Sequence, residues 1–182
     1  MTDENNIGRA LTLLIQNDIS TFNAHTNYDC APGGVNDVLA QTLGLSNITT
    51  VPTDPHNLLR QGTVREQPLD EFLSHIKTAL GAPGLRYVSS GNPVSRVAVG
   101  GGSCGGAMRQ ALEAGCDTFI TADVGYNQFW DAQDVGMNLI DAGHFYTENP
   151  AMYALADKLR AAFPEIQVEI SKIHTDCMKF YG

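Results

Sequence analysis

The stretch "SRVAVGGGSCGGAMRQALEAGCDTFIT", residues 95–121, decides the fold of this sequence. Valine alternates with other residues at its start, which predicts a short strand at residues 95–99. A glycine-rich turn follows, and residues 107–115 then predict a helix and residues 117–121 a second strand. A strand, a helix and a strand in this order predict two parallel strands joined by a helical crossover.

The same alternation continues on both sides of this stretch. After it, residues 127–136 predict a helix, residues 137–142 a strand, residues 150–163 a helix that Asn149 caps and Pro150 begins, and residues 166–170 a last strand. Before it we predict helices at 8–16, 35–44 and 68–80, strands at 19–24, 47–51 and 85–89, and a strand or hairpin within 52–66. The pattern predicts an α/β fold with a largely parallel sheet covered by helices.

Three predicted helices end at a glycine that is followed by a strand. The sequences are "QTLGLSNI", "LEAGCDTF" and "AQDVGMNL". Glycine adopts the left-handed conformation that lets a chain turn back after a helix. These glycines therefore mark helix ends and support one domain over residues 1–182, built of two halves at about 1–92 and 93–182.

Composition limits the possible functions. With 182 residues and 43% hydrophobic content, the chain can bury one core. A formal charge of −9 with only 11 Lys plus Arg argues against a nucleic-acid partner, which would need clustered cations. The four cysteines, Cys30, Cys104, Cys116 and Cys177, form no CxxC pair, which predicts reduced thiols in a cytoplasmic protein. No secretory signal or membrane-spanning segment is expected, and no membrane partner.

Polar side chains follow four of the predicted strands. His25 and Asp29 come after residues 19–24, Asp123 follows residues 117–121, and His144 and Glu148 follow residues 137–142. The glycine loop follows residues 95–99. Ligands of open α/β sheets bind beyond the carboxyl ends of the strands, so we expect these groups at one edge of the sheet.

His144 and Glu148 are four residues apart in "LIDAGHFYTENP", residues 139–150. On a helix that begins near Phe145 they would lie on one face, and an imidazole with a carboxylate is a common donor pair for zinc, iron or manganese. A surface ion pair or a helix cap is the better explanation of such a pair when it stands alone. The second pair, His25 and Asp29, favours a metal site.

The loop "GGGSCGG" offers a different hypothesis. Gly100, Gly102 and Gly105 satisfy G-x-G-x-x-G between a strand and a helix, and Asp123 lies near the distance of a ribose-binding carboxylate. The alternative interpretation is a tight turn in which glycine permits close packing. Both interpretations stay open from these residues.

Three segments together resemble one protein family. "AHTNYDCAPGGVNDVLAQTLGL", "VAVGGGSCGGAMRQALEAGCDTFITADVGY" and "LIDAGHFYTE" resemble the NGG-interacting-factor-three-like family, often labelled GTP cyclohydrolase type 2 homologues. The resemblance implies a three-layer fold of two related halves, assembled as a toroidal hexamer with a paired metal site. It places metal ligands on Asp29, His144 and Glu148, with His25 beside them, and it interprets the glycine loop as a turn.

The sequence departs from this family at two places. The family normally opens with a strand-helix-strand unit that ends in paired histidines, and relative to it we expect the chain to be truncated at the N-terminus. Asn127 stands where many members have a histidine. We therefore expect a weaker site that holds one divalent ion rather than two.

The leading functional hypothesis is a metal-dependent hydrolase of a small, possibly nucleotide-like substrate. Asp29, His144 and Glu148 would hold the ion, and His25 or Asp123 would carry protons. The alternatives are a metal-binding assembly or scaffold protein without turnover, and a dinucleotide-binding protein that uses Gly100 to Gly105. A homo-oligomer is expected.

Overall fold

The computed structural model describes residues 3–181. The strands are β1 (Ser46–Thr50), β2 (Arg60–Gln67), β3 (Arg86–Val88), β4 (Val94–Val99), β5 (Thr118–Thr121) and β6 (Asn138–Asp141). The helices are α1 (Asn6–Gln16), α2 (Thr26–Cys30), α3 (Val35–Thr42), α4 (Leu69–Leu80), α5 (Met108–Glu113), α6 (Tyr126–Asp134) and α7 (His144–Ala162), with a 3-10 turn at Gly105–Ala107.

The six strands form one sheet in the order β1-β2-β4-β5-β6-β3. β4, β5 and β6 are parallel neighbours, and the pairs β1–β2, β2–β4 and β3–β6 are antiparallel. The α/β fold class is confirmed, and the predicted crossover is the β4–α5–β5 unit. The sheet is mixed rather than largely parallel, because three of its five strand pairs are antiparallel. The parallel strands end at one edge, where the glycine loop follows β4, Asp123 follows β5, and His144 and Glu148 follow β6. His25 and Asp29 do not follow a strand among residues 3–181, as they were predicted to do.

Alternate side chains of the central strands pack on opposite faces of the sheet. Val97, Ile120 and Ile140 pack with residues of α3 and α4, whereas Phe119 and Leu139 pack with residues of α5 and α6. Helix α7 packs mainly on α3. The fold therefore has three layers, two of helices with the sheet between them.

The glycines that were predicted to end helices do so. Gly44, Gly115 and Gly136 all have positive φ, between 73° and 80°. Each follows the last turn of its helix, and the chain then enters β1, β5 and β6 respectively.

Two predicted strands are wrong. Residues 19–24 and 166–170 are irregular and pair with no strand among residues 3–181. A β-rich pattern forms a strand only when a neighbouring strand supplies its hydrogen bonds, and neither segment has one here. The uncertain segment 52–66 contains a turn region followed by the first part of β2, which begins at Arg60.

Helix α7 begins six residues before the predicted helix at 150–163, and one residue before the start near Phe145 on which the prediction of the His144–Glu148 pair rests. It starts at His144, after Gly143 with φ 83°, so that Pro150 lies inside the helix and not in its first turn. The early start brings both His144 and Glu148 into the helix. No helix among residues 3–181 is long and apolar enough to span a bilayer.

The N-terminal arm, which we define as residues 3–27, packs little against the rest of the described chain. Gly8 is its only buried residue. The side chains of Ile7, Ile15 and Phe22 are 74%, 64% and 85% exposed. Helix α1 is strongly amphipathic in sequence, so the arm presents an apolar face that residues 28–181 do not cover.

Candidate metal-binding site

His144 and Glu148 lie one turn apart at the start of α7. The Nε2 atom of His144 is 3.1 Å from Oε1 of Glu148. Both side chains are partly exposed, at 44% and 38%. The predicted pair therefore exists, because α7 begins early enough to place both side chains on one face.

Asp123 follows β5 and contacts the other side of the imidazole. Its Oδ2 atom is 2.6 Å from Nδ1 of His144. The φ of Asp123 is 52°, a left-handed conformation that few residues other than glycine adopt. The imidazole of His144 thus contacts a carboxylate on each side, Asp123 at Nδ1 and Glu148 at Nε2.

The glycine loop after β4 forms the wall against which His144 and Glu148 pack. A Cβ atom on Gly102 would overlap Oε1 of Glu148 and lie 3.1 Å from Nε2 of His144. The φ of Gly102 is +64°, so a side chain there would also be strained. Glycine is therefore favoured at position 102 by its left-handed backbone, and a side chain there would displace the Glu148 carboxylate.

The amide groups of this loop are used within the protein. The N–H groups of Gly100, Gly101 and Gly102 donate to Ile120 O, Asn36 Oδ1 and Thr147 Oγ1. A dinucleotide site would need such amides to face the pyrophosphate. The loop is a packed turn, and the geometry does not support the dinucleotide alternative.

Two buried polar residues that the sequence interpretation missed tie the loops together. Asn36 accepts from Gly101 N at 2.7 Å and donates to the Asp29 carbonyl at 3.3 Å. Thr147 accepts from Gly102 N and donates to carbonyl oxygens in its own helix. A polar residue on an otherwise buried helix face is the sequence signal that could have revealed Asn36.

Asp141, at the end of β6, is a third missed residue. Its buried carboxylate accepts from Val124 N and Gly143 N, both at 3.0 Å, and pairs with Arg86. Val124 and Gly143 are the neighbours of Asp123 and His144 in the chain. Asp141 therefore holds two site loops at a fixed separation, and an aspartate that ends an apolar strand is its sequence signal.

Asp29 and His25 approach the same region from the N-terminal side. His25 is exposed at the start of α2, and Asp29 is half-buried near the end of that helix. Burial raises the pKa of Asp29, and the positive charges of His25 and His144 oppose that rise without cancelling it. Asp29 is thus close enough to sense charge on His144.

Neighbouring charges also shift the pKa of the donor pair. Burial raises the pKa of Glu148, His144 opposes this, and the Asp29 carboxylate adds to the rise. For His144, burial lowers the pKa, but the hydrogen bond with Asp123 and the charge of Glu148 outweigh burial, and the pKa is raised. The carboxylates of Glu148 and Asp29 therefore repel each other, and a cation bound between them would relieve this repulsion.

The predicted ligands do not form a complete set in this arrangement. Among residues 3–181, no three His, Cys, Asp or Glu side chains are grouped closely enough to hold a metal ion together. Asp123, His144 and Glu148 are in direct contact, and Asp29 and His25 act on them only through their charges. All four cysteines are free.

The whole chain resembles known proteins. A family model described as Duf34/NIF3 (NGG1p interacting factor 3) matches residues 1–177. The chain belongs to this family.

Among its relatives is a Clostridium perfringens protein named "GTP cyclohydrolase 1 type 2 homolog", 30% identical over 99% of this chain and 71% of that protein. A Nostoc protein of the same name is 37% identical over 82% of this chain, which spans only 59% of the relative's length. A solved Staphylococcus aureus hypothetical protein is 28% identical and has a TM-score of 0.90 over 100% of this chain and 75% of its own. Similarity to reduced HcgD from Methanocaldococcus jannaschii is lower, with a TM-score of 0.74 and 26% identity, over 88% of this chain and 64% of that one.

Proposed function

We propose that the chain binds a divalent cation between His144 and Glu148 and acts as a metal-dependent hydrolase of a small molecule. The observation that supports this most is the direction of the imidazole. Nδ1 is occupied by Asp123, so Nε2 and the Glu148 carboxylate converge on the wall formed by Gly102. A ligating histidine commonly donates its other ring N–H to a carboxylate in this way.

The donor chemistry fits such a cation. One imidazole nitrogen and one carboxylate oxygen suit zinc, iron or manganese, and Asp29 is the nearest predicted third donor. The contribution of Asp29 requires its carboxylate to move toward His144, which it already senses electrostatically. His144 and Glu148 already converge, and only Asp29 is placed to become a third donor. This set favours one ion rather than two.

A bound divalent cation would act as a Lewis acid and make water a stronger nucleophile near neutral pH. Around it, the chain's own residues would bind and orient the substrate. Glu148 and Asp29 would fix the cation, and His25, which is exposed at the rim, would take up or release a proton. Water would enter freely, because His144 and Asp123 are almost half exposed.

The substrate class in this proposal is a small, possibly nucleotide-like molecule. Its support is the name that several relatives share, "GTP cyclohydrolase 1 type 2 homolog". The proposal also includes a cytoplasmic location, with neither a nucleic acid nor a membrane as partner. The net charge of −9 supports the first exclusion.

The exposed arm favours a second candidate, a metal-binding assembly protein without turnover. Exposed apolar side chains are one mark of a protein–protein interface, and Ile7, Ile15 and Phe22 are exposed here. This second candidate includes a homo-oligomer, such as the hexameric ring that the family resemblance implies. Light scattering with a parallel screen for turnover separates the candidates, since an inactive oligomer supports assembly alone.

The metal proposal is tested by thermal unfolding with and without Mn²⁺ or Zn²⁺. Bound metal should raise the melting temperature by mass action, and Asp29→Ala/His144→Ala should abolish that increase. His75→Ala is the control, because His75 contacts Leu43 O at the far end of α3. A double variant that keeps the metal-dependent increase would place the site elsewhere. Turnover of nucleotides or phosphoesters that requires added metal would support the hydrolase.

A further inference from the structure

We propose that Asp123 is a positioning residue, which fixes His144 in the tautomer with a proton on Nδ1 and a bare Nε2. A neutral imidazole carries one proton, and the nitrogen with the stronger acceptor keeps it. The Asp123 oxygen is 2.6 Å from Nδ1, whereas the Glu148 oxygen is 3.1 Å from Nε2. The shorter contact assigns the proton to Nδ1.

The loop that carries Asp123 is held at both ends. Ala122 N donates to Gly102 O at 2.9 Å on one side, and Val124 N donates to Asp141 Oδ2 at 3.0 Å on the other. Arg86 also donates to Val124 O at 3.1 Å. The left-handed backbone of Asp123 is therefore imposed by its surroundings, and it directs the carboxylate at His144.

This role differs from the proton-carrier role predicted for Asp123. A proton carrier must exchange protons with substrate, whereas one Asp123 oxygen is occupied by the imidazole it orients. The bare Nε2 then faces Glu148 as an electron-pair donor. The consequence for metal affinity rests on the proposed function, but the tautomer does not depend on any metal.

Two substitutions separate the effect of the Asp123 carboxylate from the effect of its left-handed backbone. Asp123→Asn and Asp123→Gly both tolerate the left-handed conformation, so both should fold. Asparagine keeps an oxygen that can accept from Nδ1 but loses the charge, and glycine removes the acceptor. Far-UV circular dichroism checks the fold of each variant.

Nitrogen-15 NMR of metal-free protein, at a pH high enough to leave His144 neutral despite its raised pKa, reports the tautomer directly. We expect His144 protonated on Nδ1 in the wild type. In Asp123→Asn and Asp123→Gly the strongest acceptor left is the Glu148 carboxylate, so we expect the proton on Nε2. Wild-type protein with the proton on Nε2, or Asp123→Gly with an unchanged tautomer, would overturn the proposal.

Calorimetric titration with Mn²⁺ gives the second readout. Loss of an orienting carboxylate commonly weakens metal affinity by about 10- to 100-fold, so we expect a loss in that range for Asp123→Gly and a smaller one for Asp123→Asn. Unchanged affinity in both variants would contradict the positioning role. If wild-type protein binds no Mn²⁺ but shows the expected tautomer, the metal-dependent function fails and the positioning of His144 stands.

Discussion

The centre of the sheet and helix α1 of the N-terminal arm both carry a pattern of apolar residues, yet those residues are buried in the sheet and exposed in the arm. Every residue of β5 and β6 is buried, with strands beside them and helices on both faces. In the arm, residues 3–27, only Gly8 is buried. An apolar pattern therefore predicts which face of an element seeks burial, while the presence of a partner decides whether burial occurs.

The comparison implies that stability is concentrated in the centre. Phe119→Ala should lower the free energy of unfolding by about 3–5 kcal/mol, because it removes a fully buried ring and leaves a cavity. The matched control is Phe22→Ala, whose ring is 85% exposed and whose effect should be within about 0.5 kcal/mol. Urea unfolding measures both free energies. Equal effects would contradict the conclusion that stability is concentrated in the centre of the sheet.

A second prediction concerns the carboxylate that ties the central loops. Asp141→Ala should cost roughly 2–4 kcal/mol, because the amides of Val124 and Gly143 lose their buried acceptor. Metal-dependent stabilisation should also fall, since the loops of Asp123 and His144 are no longer held.

Its control is Asp157→Ala, an exposed partner of Arg160 that should cost no more than about 1 kcal/mol. A loss in Asp141→Ala as small as in this control would show that Asp141 does not hold the loops.

A third prediction uses pH. Burial raises the pKa of the Cys116 thiol from 9.0 to about 11, although Arg96 opposes the shift. Below about pH 9 the thiol is protonated in both states, but above it the unfolded chain loses its proton first. Stability should therefore fall as the pH rises from about 9 to about 11, by at most about 3 kcal/mol.

Urea unfolding across this range should show a steeper decline for the wild type than for Cys116→Ala. Cys177→Ala, which changes an exposed thiol, should decline like the wild type. Identical slopes for wild type and Cys116→Ala would contradict the raised pKa of the Cys116 thiol.

The smallest effect is expected in α1. Ile15→Gln should change the free energy of unfolding of the monomer by no more than about 0.5 kcal/mol, since the side chain is 64% exposed. In a homo-oligomer the same substitution should weaken association, which light scattering over a dilution series detects. A large loss of stability in a protein that stays monomeric would show that the arm packs onto its own chain.

Sequence was most informative where partners are local. The crossover from β4 through α5 to β5 follows from neighbouring residues alone, as do the glycines that end α3, α5 and α6. Sequence failed for residues 19–24 and 166–170, since strand formation depends on a distant neighbour. It also missed the early start of α7, because Pro150 suggested a first turn where the structure has a helix interior.

The candidate site divides in the same way. Strand exits predicted that Asp123, His144 and Glu148 meet at one edge of the sheet, and the structure brings them into contact. Their exact bonding could not be predicted, since it depends on Asn36, Thr147 and Asp141, which the sequence marks only as buried polar residues. The part played by Asp29 and His25 stays a prediction.

The ties around the glycine loop also bear on the order in which the chain folds. The contact between Asp123 and His144 spans 21 residues, whereas the bond from Gly101 to Asn36, which in turn holds the Asp29 carbonyl, spans 65. Closing a longer loop costs more chain entropy and slows contact formation. On chain entropy alone, we expect the Asp123–His144 contact to form before the Gly101–Asn36 bond during refolding, so the support of the Asp29 carbonyl by Asn36 comes after the imidazole has met its carboxylate.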